Sequence, residues 1–194
     1  MAWDTEQTKK RLLDAAAAEF GAHGFAGARI DRIGTGAGVN KERIYSYFGS
    51  KAGLFEAVIT IHLIKGLDET PLEGTGPQAV ADFAGAYFDV SVLTPKLARL
   101  TAWEGLERSI PVGAEQRAVR ASNKVAAINA ALPGISATVA QDLLLTIVTL
   151  SHGWVVGRNL GLIITGEPDD NARRRAHLVM STRAIAEAMI LDSE

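Results

Sequence analysis

Cations and tyrosines are concentrated in one short stretch of the sequence, "NKERIYSYFGSK", which runs from Asn40 to Lys51. Its lysine and arginine side chains can offer charge to phosphates or paired hydrogen bonds to guanine, and its tyrosine hydroxyls can hydrogen-bond phosphates without adding charge. The whole chain has a formal net charge of −2, so this group does not follow from a generally basic composition. The stretch therefore predicts a contact surface for a nucleic acid.

The charge distribution points to the same part of the chain. Residues 1–51 contain eight Lys and Arg against six Asp and Glu, whereas residues 52–194 contain twelve against sixteen. Because a polyanion is attracted to the cationic part, we expect only the N-terminal part to approach DNA. A solvated helix face is the alternative interpretation of these cations, and the turns on either side of them argue against it.

Three helices are predicted before residue 50. Apolar residues at helical spacing place one face of the first helix toward a core: Leu13, Ala16, Ala17 and Phe20. The triplet "HGF" is expected to end that helix, with Gly24 in the left-handed conformation and Phe25 folded back on the last turn. The second helix buries Ile30, Ile33 and Ala37 and ends at Gly38.

The third helix covers about Asn40 to Phe48 and turns Ile44 and Phe48 inward. Two short helices joined by a turn that contains glycine are typical of a helix-turn-helix, and a helix has the width of the DNA major groove. Ser50 is placed to cap a fourth helix that begins near Lys51.

The rest of the chain also shows helical patterns, so we predict an all-α fold. The fourth helix extends to about Lys65 and directs these residues toward a core: Leu54, Phe55, Val58, Ile59 and His62. A linker is predicted from Gly66 to Pro77. Later helices are predicted over Ala79–Leu93, from Pro95 onward, over Ala114–Leu132, through the apolar stretch Leu143–Ile164, and in a final helix with Pro168 and two aspartates in its first turn.

The segment "RLLDAAAAEFGAHGFAGARIDRIGTGAGVNKERIYSYFGSKAGLFEAVI", Arg11 to Ile59, resembles the DNA-binding module of the tetracycline-repressor (TetR) family. The matching motifs are the "LLDAA…F…HGF" first helix, the "I..I…AGV" turn and "IYSYFGSK.GLF", in the family's order and spacing. The resemblance implies that Tyr45, Tyr47 and Lys51 hold phosphates. It also implies that Lys41, Glu42 and Arg43 occupy variable positions that face base edges.

The sequence departs from the family pattern at three places. Arg29 stands where a Ser or Thr usually caps the second helix, and Ala52 replaces a commonly acidic residue. Glycines at 34, 36 and 38 weaken the second helix by roughly 1 kcal/mol for each interior glycine. With these departures included, the predicted DNA-binding residues are Arg29, Asn40, Lys41, Glu42, Arg43, Tyr45, Tyr47 and Lys51.

The resemblance also implies a larger helical domain over residues 51–194, following a helix-turn-helix domain over residues 1–50. Related regulators hold a small molecule in that domain and form a homodimer through their last helices. The residues that could line such a pocket are His62, Phe83, Tyr87, Trp103, His152, Trp154 and Arg158. For the aromatic residues and the two histidines, a place in the core is the competing interpretation.

Gly153, Gly157 and Gly161 recur every four residues on the apolar stretch. Small residues at that spacing allow two helices to approach closely, which suits a dimer interface. They can equally make room for Trp154 or for a ligand.

No catalytic motif is recognisable. "GTGAGV" fails the dinucleotide pattern because Val39 takes the place of its third glycine, and no thiolate chemistry is possible without cysteine. His62 and His152 have no second metal ligand three or four residues further along, so we expect neither a metal nor a cofactor. We read no export signal, and Arg158 and Asn159 argue against a membrane span in the apolar stretch, so a cytoplasmic location is expected.

The sequence thus predicts a regulator of transcription that binds a palindromic operator in double-stranded DNA. We expect a repressor that a small hydrophobic effector releases from DNA, through a shift of the helix from about Lys51 to Lys65. One alternative is a regulator that needs no ligand or that activates transcription. The other is a helical enzyme or carrier with a non-functional helix-turn-helix.

Overall fold

The computed structural model describes residues 2–68, 70–167 and 170–191, and for residues 2–4 and 63–68 it describes the backbone only. Within those ranges the chain forms ten α-helices and no strand, which confirms the all-α prediction. The helices are α1 (Ala2–Gly27), α2 (Ile30–Ala37), α3 (Lys41–Phe48), α4 (Lys51–Asp68), α5 (Gly76–Leu93), α6 (Pro95–Glu107), α7 (Ala114–Ala131), α8 (Ala137–Val156), α9 (Arg158–Thr165) and α10 (Asn171–Leu191).

The helices form two compact units, each with its own core. The first unit comprises Met1–Ile64 and Arg99–Ala114, and the second comprises Lys65–Ala98 and Glu115–Glu194. These units follow packing, so the first one takes in most of α4 and the last part of α6. The predicted division at residue 50 follows the helix-turn-helix pattern and stays a prediction.

The core of the first unit lies between α1, α2, α3, α4 and the last part of α6. Leu12 is fully buried on α1, whereas the predicted Leu13 is only partly buried. The reason is the phase of the helix, since Leu12, Ala16 and Phe20 follow one another at intervals of four. The predicted burial of Ala17 and Phe20 is confirmed.

Gly24 kinks α1 instead of ending it. Its φ of 68° has the predicted positive sign, but its ψ of −179° is extended and not left-handed helical. The chain then makes one more turn to Gly27. Phe25 folds back as predicted, with its ring stacked 6.3 Å from that of Phe20 and edge-on at 5.3 Å from that of Phe55.

The turn between α2 and α3 uses two glycines for different reasons. Gly38 adopts the left-handed conformation that is typical of a helix C-terminus, and the Val39 N–H donates to the Gly34 carbonyl at 2.9 Å. A Cβ atom at Gly34 would lie 2.7 Å from the Val39 carbonyl oxygen, so a side chain there would obstruct the turn. The buried face of α2 consists of Ile30, Ile33, Gly34 and Ala37.

The start of α4 was predicted correctly, but its end was not. Ser50 caps it as expected, because its Oγ accepts the Gly53 N–H at 3.0 Å. The predicted linker from Gly66 to Pro77 is too long, since α4 continues to Asp68 and α5 already begins at Gly76. Gly66 lies within α4, and Gly76 is the first residue of α5, where its φ of 81° favours a glycine.

In the second unit, α5 packs against α8 and α10. The core of the second unit includes Phe83, Tyr87, Phe88, Ile128, Leu132, Leu143, Ile147 and Leu178.

The predicted single helix over Leu143–Ile164 is wrong, because the chain breaks at Gly157 into α8 and α9. A Cβ atom at Gly157 would lie 2.6 Å from the Gly153 carbonyl oxygen, so the break depends on a glycine.

The final helix, α10, begins later than predicted. The Asp170 carboxylate accepts the Arg173 N–H at 2.9 Å, so Asp170 precedes the helix as its cap instead of lying in its first turn. Pro168 and Asp169 lie outside the described residues. One described helix, α8, is long and apolar enough to cross a membrane by length and composition alone, a test that a packed helix of a globular protein also passes.

Candidate nucleic-acid interface

The third helix presents the predicted polar residues on one exposed surface. Ile44 is fully buried and fixes the orientation of α3, whereas Lys41, Glu42, Arg43 and Tyr45 are exposed. Tyr45 is 40% exposed, and Tyr47 is half-buried with its ring edge-on to Phe48. Four of the predicted DNA-contacting residues are therefore exposed on one helix of the first unit.

Asn40 has a local structural task in this arrangement. Its side-chain oxygen accepts the Arg43 N–H at 3.1 Å, which caps α3. Lys41 pairs with Asp31 of α2 across 3.4 Å, and both side chains are well exposed. An exposed pair of this kind contributes roughly 0–1 kcal/mol, so a phosphate or base can displace Asp31 at little cost.

Lys51 opens α4 and contacts the turn that follows the kink in α1. Its Nζ donates to the Ala26 carbonyl at 3.2 Å and lies 5.0 Å from the centre of the Phe25 ring. An ammonium group has three N–H donors, so one bond to a carbonyl leaves others for a phosphate.

Arg29 precedes α2 and makes no side-chain cap, as its residue type implies. A carboxylate from α1 supplies the missing acceptor: Glu19 Oε1 accepts the Arg29 N–H at 2.9 Å and Arg32 Nε–H at 2.7 Å. Burial alone would raise the pKa of Glu19, but hydrogen bonds from Arg29 and Arg32 and the charge of Arg32 lower it below its ordinary value. The start of α2 is thus ordered while the Arg29 guanidinium stays exposed.

Sequence reasoning missed Glu19 and Arg32. The available signal was a helix start without a capping residue, which requires an acceptor from elsewhere because its first N–H groups have no partner within the helix. The sequence does not show which of several acids supplies that acceptor.

In the second unit, the buried Tyr87 and the partly buried His152 form a polar pair. The Tyr87 Oη lies 3.0 Å from His152 Nε2, and the two rings stack with centres 5.7 Å apart. Burial raises the pKa of Tyr87 and lowers the pKa of His152 to about 4, so the pair is neutral at pH 7. Phe83 is buried nearby on α5 and faces the Lys124 ammonium, whose pKa burial lowers.

Trp154 joins α8 to α10. Its Nε1–H donates to the Asn171 side-chain oxygen at 2.8 Å, and the Arg174 guanidinium lies 5.7 Å from its ring. A Cβ atom at Gly161 would lie 3.2 Å from the same ring, so this glycine makes room for Trp154. Gly153, in contrast, has open space beside it.

The predicted pocket residues are divided between the two units. Phe83, Tyr87, His152, Trp154 and Arg158 belong to the second unit, with Arg158 exposed at the start of α9. His62 and Trp103 belong to the first unit, where the Trp103 ring lies against Gly24. Sequence reasoning missed Lys124, Asn171 and Arg174. Among the side chains that the structure describes, no group of three acids or histidines could hold a metal ion.

Comparisons with known proteins match both parts of the chain. Residues 12–58 match the family model "Bacterial regulatory proteins, tetR family", and residues 79–183 match "Tetracyclin repressor-like, C-terminal domain". The HTH-type transcriptional repressor SCO4008 of Streptomyces coelicolor is 35% identical over 177 residues, which cover 86% of this chain and 88% of that protein.

Two solved structures share the fold. The putative transcriptional regulator SCO4942 of Streptomyces coelicolor has a TM-score of 0.74 at 29% identity, covering 92% of this chain and 97% of that one. FadR of Bacillus subtilis, solved in complex with stearoyl-CoA, has a TM-score of 0.64 at 18% identity, covering 93% and 97%. With two family models in the expected order and a relative aligned over most of both chains, this protein belongs to the TetR family of DNA-binding transcriptional regulators.

Proposed function

We propose that the protein represses transcription by binding a palindromic operator as a homodimer, and that a largely apolar effector releases it. The observation that carries the DNA contact is the exposed surface of α3, anchored by the fully buried Ile44. In the proposed complex, α3 lies in the major groove with Lys41, Glu42 and Arg43 toward base edges.

The phosphate contacts are proposed for the residues around that helix. They are Arg29, Tyr45, Tyr47 and Lys51, while Asn40 orders the start of α3. Selection of binding sequences from a pool of random duplexes tests this proposal. We expect a palindrome whose half-sites lie about 34 Å apart, one turn of DNA. Recovery of no preferred sequence would contradict an operator-binding role.

The dimer is proposed on the exposed apolar surface of α8, α9 and α10. The large apolar residues that the protomer leaves exposed there include Leu145, Val156, Leu160, Leu162, Ile163, Ile164 and Met180. No residue of α9 is buried within the protomer. A second copy of the chain would remove this surface from water at about 25 cal/mol for each Å² of apolar area.

The effector is proposed to bind in the second unit. The aromatic residues Phe83 and Tyr87 would contact its apolar part, and the Lys124 ammonium and the Tyr87–His152 pair would offer it polar contacts. The complex of FadR with stearoyl-CoA is an example, in a protein of this fold, of a ligand with a long apolar part. We therefore expect a mainly hydrophobic compound with a few polar groups.

The release mechanism is proposed to run through α4. This helix has 18 residues, a rod of about 27 Å. It begins at Lys51 in the first unit and ends at Asp68 in the second. A displacement at its end would therefore move Lys51, and the spacing of the two recognition helices in a dimer would change with it.

Thermodynamic reciprocity tests this mechanism. A compound that releases DNA must bind the DNA-bound protein more weakly than the free protein, by the same factor by which it weakens DNA binding. Compounds would be screened by loss of anisotropy of a labelled operator and then titrated by calorimetry with and without DNA. A compound that binds the second unit and leaves DNA affinity unchanged would identify a regulator without this switch.

A catalytic role is not part of the proposal, and the cytoplasm is the proposed location because the operator DNA is there. Turnover of a bound compound without any specific DNA affinity would support the alternative of an enzyme or carrier.

A further inference from the structure

The first unit contains a segment that lies outside the helix-turn-helix sequence. Residues 99–114 pack with α1 and α4, and Leu100 and Val112 are buried in the same core as Phe20 and Phe55. The segment includes residues 99–107 of α6, among them the two acids of this helix, Glu104 and Glu107. Glu104 accepts the Val112 N–H at 2.7 Å and so holds the segment's own loop, whereas Glu107 reaches the helix α1.

Glu107 binds the backbone just after the kink in α1. Its Oε2 accepts the Phe25 N–H at 2.6 Å and the Ala26 N–H at 3.2 Å. These N–H groups open the short turn that follows Gly24, so the carboxylate acts as its cap. The approach is close, because a Cβ atom at Gly24 would lie 2.8 Å from Glu107 Oε1.

Lys51 contacts the same two residues from another side. It donates to the Ala26 carbonyl and lies over the Phe25 ring, at the distances given above. The Arg108 guanidinium also lies 6.0 Å from the Phe25 ring and pairs with Glu56 of α4 across 3.5 Å. The turn at Phe25–Ala26 is therefore held between Glu107 and Lys51.

We propose that Glu107 is a positioning residue for DNA binding: by fixing the Phe25–Ala26 turn, it places the Lys51 ammonium where it can meet a phosphate. The inference rests on the phosphate contact proposed for Lys51. The ammonium keeps the Ala26 carbonyl as one acceptor and offers its remaining N–H groups to DNA. Without Glu107 the turn loses its cap, and the lysine has no fixed support.

The direction in which DNA affinity changes when Glu107 is removed distinguishes a positioning role from a simple effect of its negative charge. Loss of an acidic side chain by charge alone strengthens binding to DNA, whereas loss of a positioning contact weakens it. Glu107→Ala should therefore weaken operator binding by about tenfold, near the lower end of the loss expected for a hydrogen bond to a charged group. Glu115→Ala removes an exposed acid from the first turn of α7 in the second unit and measures the effect of charge alone.

The experiment is a double-mutant cycle between Glu107 and Lys51. Operator binding and its salt dependence are measured for the wild type, Glu107→Ala, Lys51→Ala and the double variant, with circular dichroism to verify folding. We expect each single variant to lower the salt slope by about one unit. We also expect the double variant to bind no more weakly than Lys51→Ala, because both changes remove one contact.

Glu107→Gln is the second variant. Its amide oxygen still accepts the backbone N–H groups, more weakly than a carboxylate does, so we expect a loss of about threefold and the same lack of additivity. If Glu107→Ala does not fold, Glu107→Gln takes its place in the double-mutant cycle with Lys51→Ala.

Three results would overturn the inference, and they are distinguishable. If Lys51→Ala weakens binding while the Glu107 variants only lower the melting temperature, or if the two losses multiply, Glu107 does not position Lys51. If Lys51→Ala leaves affinity and salt slope unchanged, the proposed phosphate contact fails and the inference fails with it.

Discussion

Lys51 and Arg43 both place a positive charge on the proposed DNA surface, but their surroundings differ. Lys51 is supported by a backbone carbonyl and an aromatic ring, whereas Arg43 is exposed on α3. We expect Lys51→Ala to weaken binding to operator and scrambled duplexes alike and to lower the salt slope by about one unit. Titrations of both duplexes at several salt concentrations measure this. A changed sequence preference with an unchanged slope would contradict the assignment.

Arg43→Ala should have the complementary effect. Loss of a paired contact to a base relaxes preference at one position of the operator, by roughly 1–3 kcal/mol. Lys41→Ala should act similarly, since the exposed pair with Asp31 holds Lys41 only weakly. Binding to operators with single base-pair changes measures both variants. An equal loss on every duplex would show that these residues contact phosphates.

His152 should make the second unit sensitive to mild acid. Burial lowers its folded pKa to about 4, below the ordinary value of about 6.5, so the unfolded chain binds the proton more readily. Its contribution to stability is complete above pH 6.5 and is lost as the pH falls toward 4, by about 2 kcal/mol at pH 5. Urea unfolding at pH 7.5 and pH 5 should show a smaller difference for His152→Gln than for the wild type. An equal difference in both proteins would mean that His152 is not protonated on unfolding.

At the scale of elements, the glycines of α2 have opposite expected effects. Gly34→Ala should destabilise the protein by about 1–3 kcal/mol, because its Cβ would press on the Val39 carbonyl and distort the turn to α3. Gly36→Ala is the matched control. Gly36 is exposed and has only an ordinary contact to Ala15, so alanine should stabilise the helix by up to about 1 kcal/mol. Denaturant unfolding of both variants measures this, and equal effects would remove the role assigned to Gly34.

At the scale of the whole molecule, the exposed surface of α8, α9 and α10 predicts a dimer. Sedimentation at micromolar concentration should give about twice the chain mass of 20.6 kDa. Gly153→Leu should weaken association, because Gly153 has open space within the protomer and its new side chain would meet the partner. Gly105→Leu is the control, since Gly105 is equally open but lies on α6 in the first unit. If the protein is a monomer and still binds the palindrome with the affinity expected of a dimer, the proposal is wrong.

Local features of the sequence predicted much of the fold and the exposed face of α3. Gly38 after α2 and Ser50 before α4 mark helix ends through bonds that reach only a few residues along the chain. The burial of Ile44 follows from helical periodicity in the same way. Such signals are readable in the sequence because both partners of each contact lie within one or two turns.

Only the tertiary structure decided the contacts between distant segments. Glu107 caps a turn 82 residues earlier in the chain, and Glu19 supplies the acceptor that α2 lacks. The break at Gly157 and the place of Trp103 in the first unit were equally hidden in the sequence. The physical reason is that a carboxylate, a glycine or a tryptophan fits many environments by its type alone. The environment that such a residue occupies depends on how the helices pack. The apolar periodicity of the sequence holds no information about that packing.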